Sequence, residues 1–93
     1  MTSDADQRFR LPEQVHTRRF DDELVVLDLV RGEYFALDEV GAIVWEHLVA
    51  GKTLAEVAVE LVATYDVVQD TALSDVRRLV GELVAMGLIE RRE

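Results

Sequence analysis

The stretch Leu24-Val25-Val26-Leu27-Asp28-Leu29-Val30-Arg31-Gly32-Glu33-Tyr34-Phe35-Ala36-Leu37 decides the fold of this chain. Residues 24 to 30 are apolar and valine-rich apart from Asp28, a run of strand length. Arg31-Gly32 interrupts it, and glycine supplies the positive φ that a tight hairpin requires. Glu33 to Leu37 is then a return strand. Upstream, Val15-His16-Thr17-Arg18-Arg19-Phe20 is rich in strand formers, and Asp21-Asp22-Glu23 is a turn. Three successive strands joined by tight turns predict an antiparallel meander. Its register depends on the second loop. A two-residue Arg31-Gly32 loop groups Val25, Leu27 and Leu29 with Tyr34 and Ala36. A one-residue bulge groups Val25 and Leu27 with Phe35 and Leu37. The bulged register is the expectation, because it keeps Asp28 off the core face.

Beyond Leu37 the apolar period changes from that of a strand to that of a helix. Asp38 is an N-cap, and Val40, Ile43, Val44, Trp45, His47 and Leu48 cover most of a first helix, as in a buried one. Gly51 stands just past its end. Thr53-Leu54-Ala55-Glu56 is a capping box, and it opens a second helix with Leu54, Val57, Ala58, Leu61, Val62 and Tyr65 on one stripe. Asp70 caps a third helix over 71 to 86, with apolar Leu73, Val76, Leu79, Val80, Leu83, Val84 and Met86. Gly87 ends it, and Leu88-Ile89 returns to the core. Isolated Gly41 and Gly81 are read as points of close helix packing. The order βββααα with short connections is an α+β winged helix-turn-helix: a three-stranded antiparallel sheet followed by three helices.

At 93 residues the chain is one domain, and its 49% hydrophobic content supports a core. Residues 1 to 11 read as a flexible tail, and 12 to 93 as the domain. The tail lacks the apolar stretch of a signal peptide, and no run approaches the ~20 apolar residues of a membrane span. With no cysteine, disulfides, thiolate metal sites and cysteine nucleophiles are excluded within this chain. A soluble, cytoplasmic protein is expected, without membrane contact.

Catalytic groups are sparse. His16 and His47 stand alone, one on a strand and one on a helix, so no metal site is expected. Neither Ser3 nor Ser74 has a nucleophile-elbow context, no glycine-rich phosphate loop exists, and no cofactor is expected. The chain is read as non-enzymatic. Winged helices often bind DNA through the third helix. Here that helix carries Asp70, Asp75 and Glu82 against Arg77 and Arg78, on a chain of net charge −9. Phosphate attraction, the main source of such affinity, is missing, so nucleic acid is not an expected partner. A DNA-binding regulator is the weaker alternative. A peptide partner remains. Strand 33 to 37 ends the meander, and its outer edge offers a backbone ladder to an added strand.

The same residues carry a family resemblance. Leu27-Asp28-Leu29-Val30-Arg31-Gly32-Glu33-Tyr34-Phe35-Ala36-Leu37, then Val40-Gly41 and Val44-Trp45, resemble the PqqD-like signature. Gly51, Thr53-Leu54, Tyr65-Asp66-Val67, Asp75-Val76, Leu79, Leu83 and Gly87-Leu88 continue it, so the resemblance spans about residues 15 to 89. Asp38 stands where relatives often have Asn, and both residues cap helices. Within the family the chain is most similar to the stand-alone leader-binding proteins of lasso-peptide biosynthesis. The resemblance implies a RiPP recognition element, one that binds the leader of a ribosomally made precursor and presents it to a separate leader peptidase, with a cyclase acting afterwards. A chaperone of the pyrroloquinoline quinone pathway partnering a radical-SAM maturase is the alternative within the family. The resemblance also implies that the leader adds as a strand beside Glu33, Tyr34, Phe35, Ala36 and Leu37. The opposing wall would come from Leu73, Val76, Leu79, Val80 and Leu83, with Asp75 facing a basic leader residue. Val76, Leu79 and Leu83 are equally readable as core.

Overall fold

A computed structural model describes residues 4–21 and 23–92. In chain order the elements are a 3-10 turn at Asp4–Asp6, β1 (Phe9–Arg10), β2 (Val15–Phe20), β3 (Glu23–Asp28), β4 (Glu33–Leu37), α1 (Glu39–Val49), α2 (Leu54–Thr64), α3 (Gln69–Ala85) and β5 (Glu90–Arg91). The sheet runs β2-β3-β4 and is antiparallel throughout. The expected βββααα order therefore holds, with a short strand added at each end.

The added strands correct the tail boundary. Phe9 and Arg10 pair with Arg91 and Glu90, and Phe9 is buried in the core. Order thus begins before Pro12, because an apolar ring at position 9 finds cover against the far end of the chain. Asp22, part of the expected 21–23 turn, lies outside the described residues.

The hairpin register is a second correction. Asp28 pairs with Glu33 and Val26 with Phe35, which leaves Leu29 to Gly32 as a four-residue loop. Leu24, Val26 and Asp28 are the buried side chains of β3, so the expected bulged grouping of Val25 and Leu27 with Phe35 and Leu37 does not occur. Val25 and Leu27 share a face with Ala36 and Tyr34, as in the two-residue alternative, but that face is the less buried one and Leu29 lies in the loop. Asp28 can face inward because its carboxylate is put to use: Oδ1 accepts the N–H groups of Val30 and Arg31 at 3.0 and 3.1 Å. A buried polar group with two donors is satisfied rather than costly. Leu29 and Val30, read as strand, are exposed loop residues.

The helix caps follow the sequence closely. Asp38 Oδ1 accepts from Gly41 N at 2.8 Å and starts α1. Both bonds of the Thr53–Glu56 capping box are present at α2. The Thr53 N–H donated to the Glu56 carboxylate holds its pKa below the usual value; burial opposes this, and the Thr53 hydroxyl, Arg8 and Lys52 lower it further. The start of α3 differs from expectation: it begins at Gln69, its N-cap Val68 makes no side-chain bond, and Asp70 lies in its first turn. Gly41 marks a close approach, but to the Leu37 and Asp38 side chains that precede α1 and not to another helix: a Cβ there would stand 3.2 Å from Leu37 Cδ2. Gly81 does not: nothing lies within 4 Å of its Cβ position.

Helix α1 packs on β3 and β4, α2 and α3 pack against each other, and the shared core includes Val26, Leu37, Val44, Trp45, Leu48, Val57, Val76, Leu83 and Ile89. Removing a fully buried leucine such as Leu48 or Leu83 from such a core costs about 2–5 kcal/mol.

Candidate functional site

The outer edge of β4 has no neighbouring strand among the described residues. Which of its backbone groups are free follows from the ladder. Leu29 N donates to Gln14 O at 2.9 Å, next to the pair Val15–Asp28. Hydrogen-bonded and non-bonded pairs alternate in an antiparallel sheet. The odd-numbered residues of β3 thus point their backbone at β2, and Leu24, Val26 and Asp28 point theirs at β4. Their partners Leu37, Phe35 and Glu33 bond inward. Tyr34 and Ala36 are left with N–H and C=O directed at the open edge. A strand docking there meets a donor and an acceptor at each of these two residues.

Beside that edge lies a groove of about 450 Å³, bounded by β4 and the start of α1 on one side and α3 on the other. The sequence-predicted residues Phe35, Ala36, Leu37, Asp75 and Leu79 line it. Others do not. Val76, Val80 and Leu83 are buried in the core, and Leu73 packs against the core without reaching the groove. Helical geometry explains the division. Residues 76, 80 and 83 form one stripe, turned inward, whereas 75, 79 and 82 form the adjacent stripe, turned to the groove. Glu33 and Tyr34 are exposed and do not line the groove; Tyr34 turns its backbone to the open edge, whereas Glu33 bonds inward to β3.

Asp38, Val40, Gly41, Arg78 and Glu82 also line the groove, and the sequence reading did not select them. Val40 was legible in part: α1 has more apolar positions than one buried face needs, and Val40 is the surplus, 41% exposed. The polar rim holds the carboxylates of Asp38, Asp75 and Glu82 against one guanidinium, Arg78. Two of these carboxylates already have local partners. Asp38 caps α1, and Asp75 accepts from Arg78 at 3.3 Å. The rim is acidic overall, but its charges are exposed and screened.

A second depression of about 500 Å³ lies between β2 and α1, over Leu24, Trp45 and Val49. The ion pair of Arg19 with Glu46 bridges it. Among the described residues no group of three or more His, Asp or Glu side chains is placed to hold a metal ion. No helix among the described residues is long and apolar enough to cross a membrane.

Residues 23–89 match the family described as coenzyme PQQ synthesis protein D (PqqD). Among solved structures, TbiB1 in complex with the TbiA(beta) leader peptide is similar at 34% identity and a TM-score of 0.82, over 87% of this chain and 94% of that one. Lasso peptide synthetase B1 complexed with the leader peptide is similar at 31% identity and a TM-score of 0.84, over 89% and 98% of the two chains. No curated protein sequence matches.

Proposed function

This chain belongs to the PqqD family, and from that premise we propose that it binds the leader of a ribosomally made precursor, of the lasso-peptide kind, as an added strand on β4. The free N–H and C=O groups of Tyr34 and Ala36, facing a groove walled by Leu79 and Phe35, carry this reading. Main-chain bonds to the edge give affinity, and the groove selects side chains. The similar structures, both solved with a leader peptide bound, support it. The acidic rim favours a leader with a basic residue over Asp75 or Glu82, a contribution of about 0–1 kcal/mol for an exposed pair. The protein acts without catalysis of its own and hands the bound leader to a separate peptidase, with a cyclase downstream. Incubating purified protein with its precursor should leave the precursor's mass unchanged.

Hydrogen exchange tests the docking mode. On adding the leader peptide, the amides of Tyr34 and Ala36 should slow most within 33–37, with further protection in 75–82. Phe35 and Leu37, already bonded to β3, should change less. Slowing at Thr17 and Arg19 instead would move the peptide to the opposite sheet edge. Slowing confined to α1 and α2 would defeat strand addition altogether.

A further inference from the structure

One side chain outside the groove ties its two walls together. Arg31 lies in the loop between β3 and β4, and that loop is anchored from below. Asp28, 3% exposed, accepts the N–H groups of Val30 and Arg31, and its carbonyl accepts from Gly32 N at 2.9 Å. Gly32 closes the loop at φ 70°, a conformation open to glycine at little cost. The backbone of Arg31 is therefore held in place. From there its guanidinium crosses to the other wall, where Nη1 donates to Met86 O at 3.1 Å.

Met86 is the residue on which α3 ends. Carbonyls in the last turn of a helix have no helical donor, and the negative end of the dipole attracts a cation. Helix α3 has no basic residue in its own last turn, so the cation comes from the hairpin. Gly87, at φ 73°, turns the chain directly after the Met86 carbonyl, and its Cα lies beside the same guanidinium. Glu33, the first residue of β4, sits 3.9 Å away on the near side. Toward α1 the groove separates the two walls.

We propose that Arg31 is a positioning residue, a clasp from the hairpin to the end of α3 that fixes the spacing of the groove walls and so strengthens leader binding. It rests on the leader-binding reading of the β4 edge. Without the clasp the hairpin keeps its strand pairing but gains freedom to tilt from α3. A docking peptide must then order the hairpin as well as itself, and affinity falls.

The test compares full-length wild type with Arg31→Met, Arg31→Lys and, as a control at the opposite sheet edge, Arg19→Met. The probe is a synthetic peptide with the leader sequence of the cognate precursor. In Arg31→Met, amide exchange without peptide should quicken in 29–34 and 84–88, and Kd should rise about three- to tenfold, the scale of one exposed charge-assisted bond. Arg31→Lys, a point charge without the planar fork, should recover part of both effects. Arg19→Met should alter neither. Wild-type exchange and affinity in Arg31→Met would overturn the clasp, as would faster exchange or a lower Tm with unchanged Kd. Failure of wild type to bind the peptide would overturn the leader-binding reading instead, and the exchange measurements would still decide whether Arg31 holds the hairpin.

Discussion

Replacing Ala36 with proline probes the β4 edge at a single backbone atom. The ladder assigns the Ala36 N–H to the open side, so proline removes no bond to β3. Proline is tolerated on an edge strand when its missing donor faces outward. It also holds the preceding residue, Phe35, in the extended region that β4 already requires. The sheet should therefore survive. A docked leader loses one main-chain bond, and its carbonyl is left facing a pyrrolidine ring. An unsatisfied partner of this kind costs about 1–3 kcal/mol, or roughly 5- to 150-fold in Kd. Calorimetry with the leader peptide measures the loss, and circular dichroism with thermal melts checks the fold. Ala36→Ser keeps the N–H and should bind within a few-fold of wild type. A folded Ala36→Pro variant with wild-type affinity would refute both the edge assignment and strand addition.

Three further outcomes follow from side-chain positions. Leu79→Ala, on the groove stripe and only partly buried, should weaken leader binding by about tenfold with a smaller loss of stability than Leu83→Ala, which, fully buried, should cost about 2–5 kcal/mol and leave the groove stripe in place; paired melts and titrations separate the two. The folded pKa of Glu56 is depressed, so its share of stability is full above the usual glutamate range and is lost as pH falls through the lower folded value; the Tm gap between wild type and Glu56→Gln should therefore narrow on acidification, and a gap constant with pH would contradict this. The Tyr65 hydroxyl is buried without a hydrogen-bond partner, and burial, aided by Glu39 and then Asp38, raises its pKa. Tyr65→Phe should be neutral or slightly stabilising, and a clear loss in chemical denaturation would show that the hydroxyl bonds to the nearby Glu39 carboxylate.

The parts of the fold legible in the sequence are those governed by local chemistry. Asp38 and the Thr53–Glu56 box set two helix starts because each cap bonds within three residues of itself. The misread parts depend on contacts that periodicity does not encode. Pattern alone places Asp28 outside, because a lone carboxylate is costly to bury, yet the loop above it brings two N–H donors and removes that cost. Leu29 and Val30 extend the apolar run and imitate strand, although they sit on the loop at 63% and 80% exposure. The pairing of Phe9–Arg10 with Glu90–Arg91 joins opposite ends of the chain, which no local pattern announces.

The site divides in the same way. Element order alone identified the free edge, because the chain leaves β4 for helices and never returns to the sheet beside it. The helical wall was harder, because α3 carries two adjoining stripes and apolar character alone marks the wrong one. Val76, Val80 and Leu83 are the more uniformly apolar stripe and belong to the core. The groove stripe is mixed, with Leu79 between Asp75 and Glu82. That mixture constrains what fits. An extended peptide on the β4 edge sends alternate side chains to opposite faces. Those turned to the groove meet an apolar floor of Phe35, Val40 and Leu79 at its middle and carboxylates along the α3 rim. On the proposed docking, the complementary leader would place an apolar side chain over Leu79 and a basic one along that rim. The intervening residues point away from the groove and do not enter its selection.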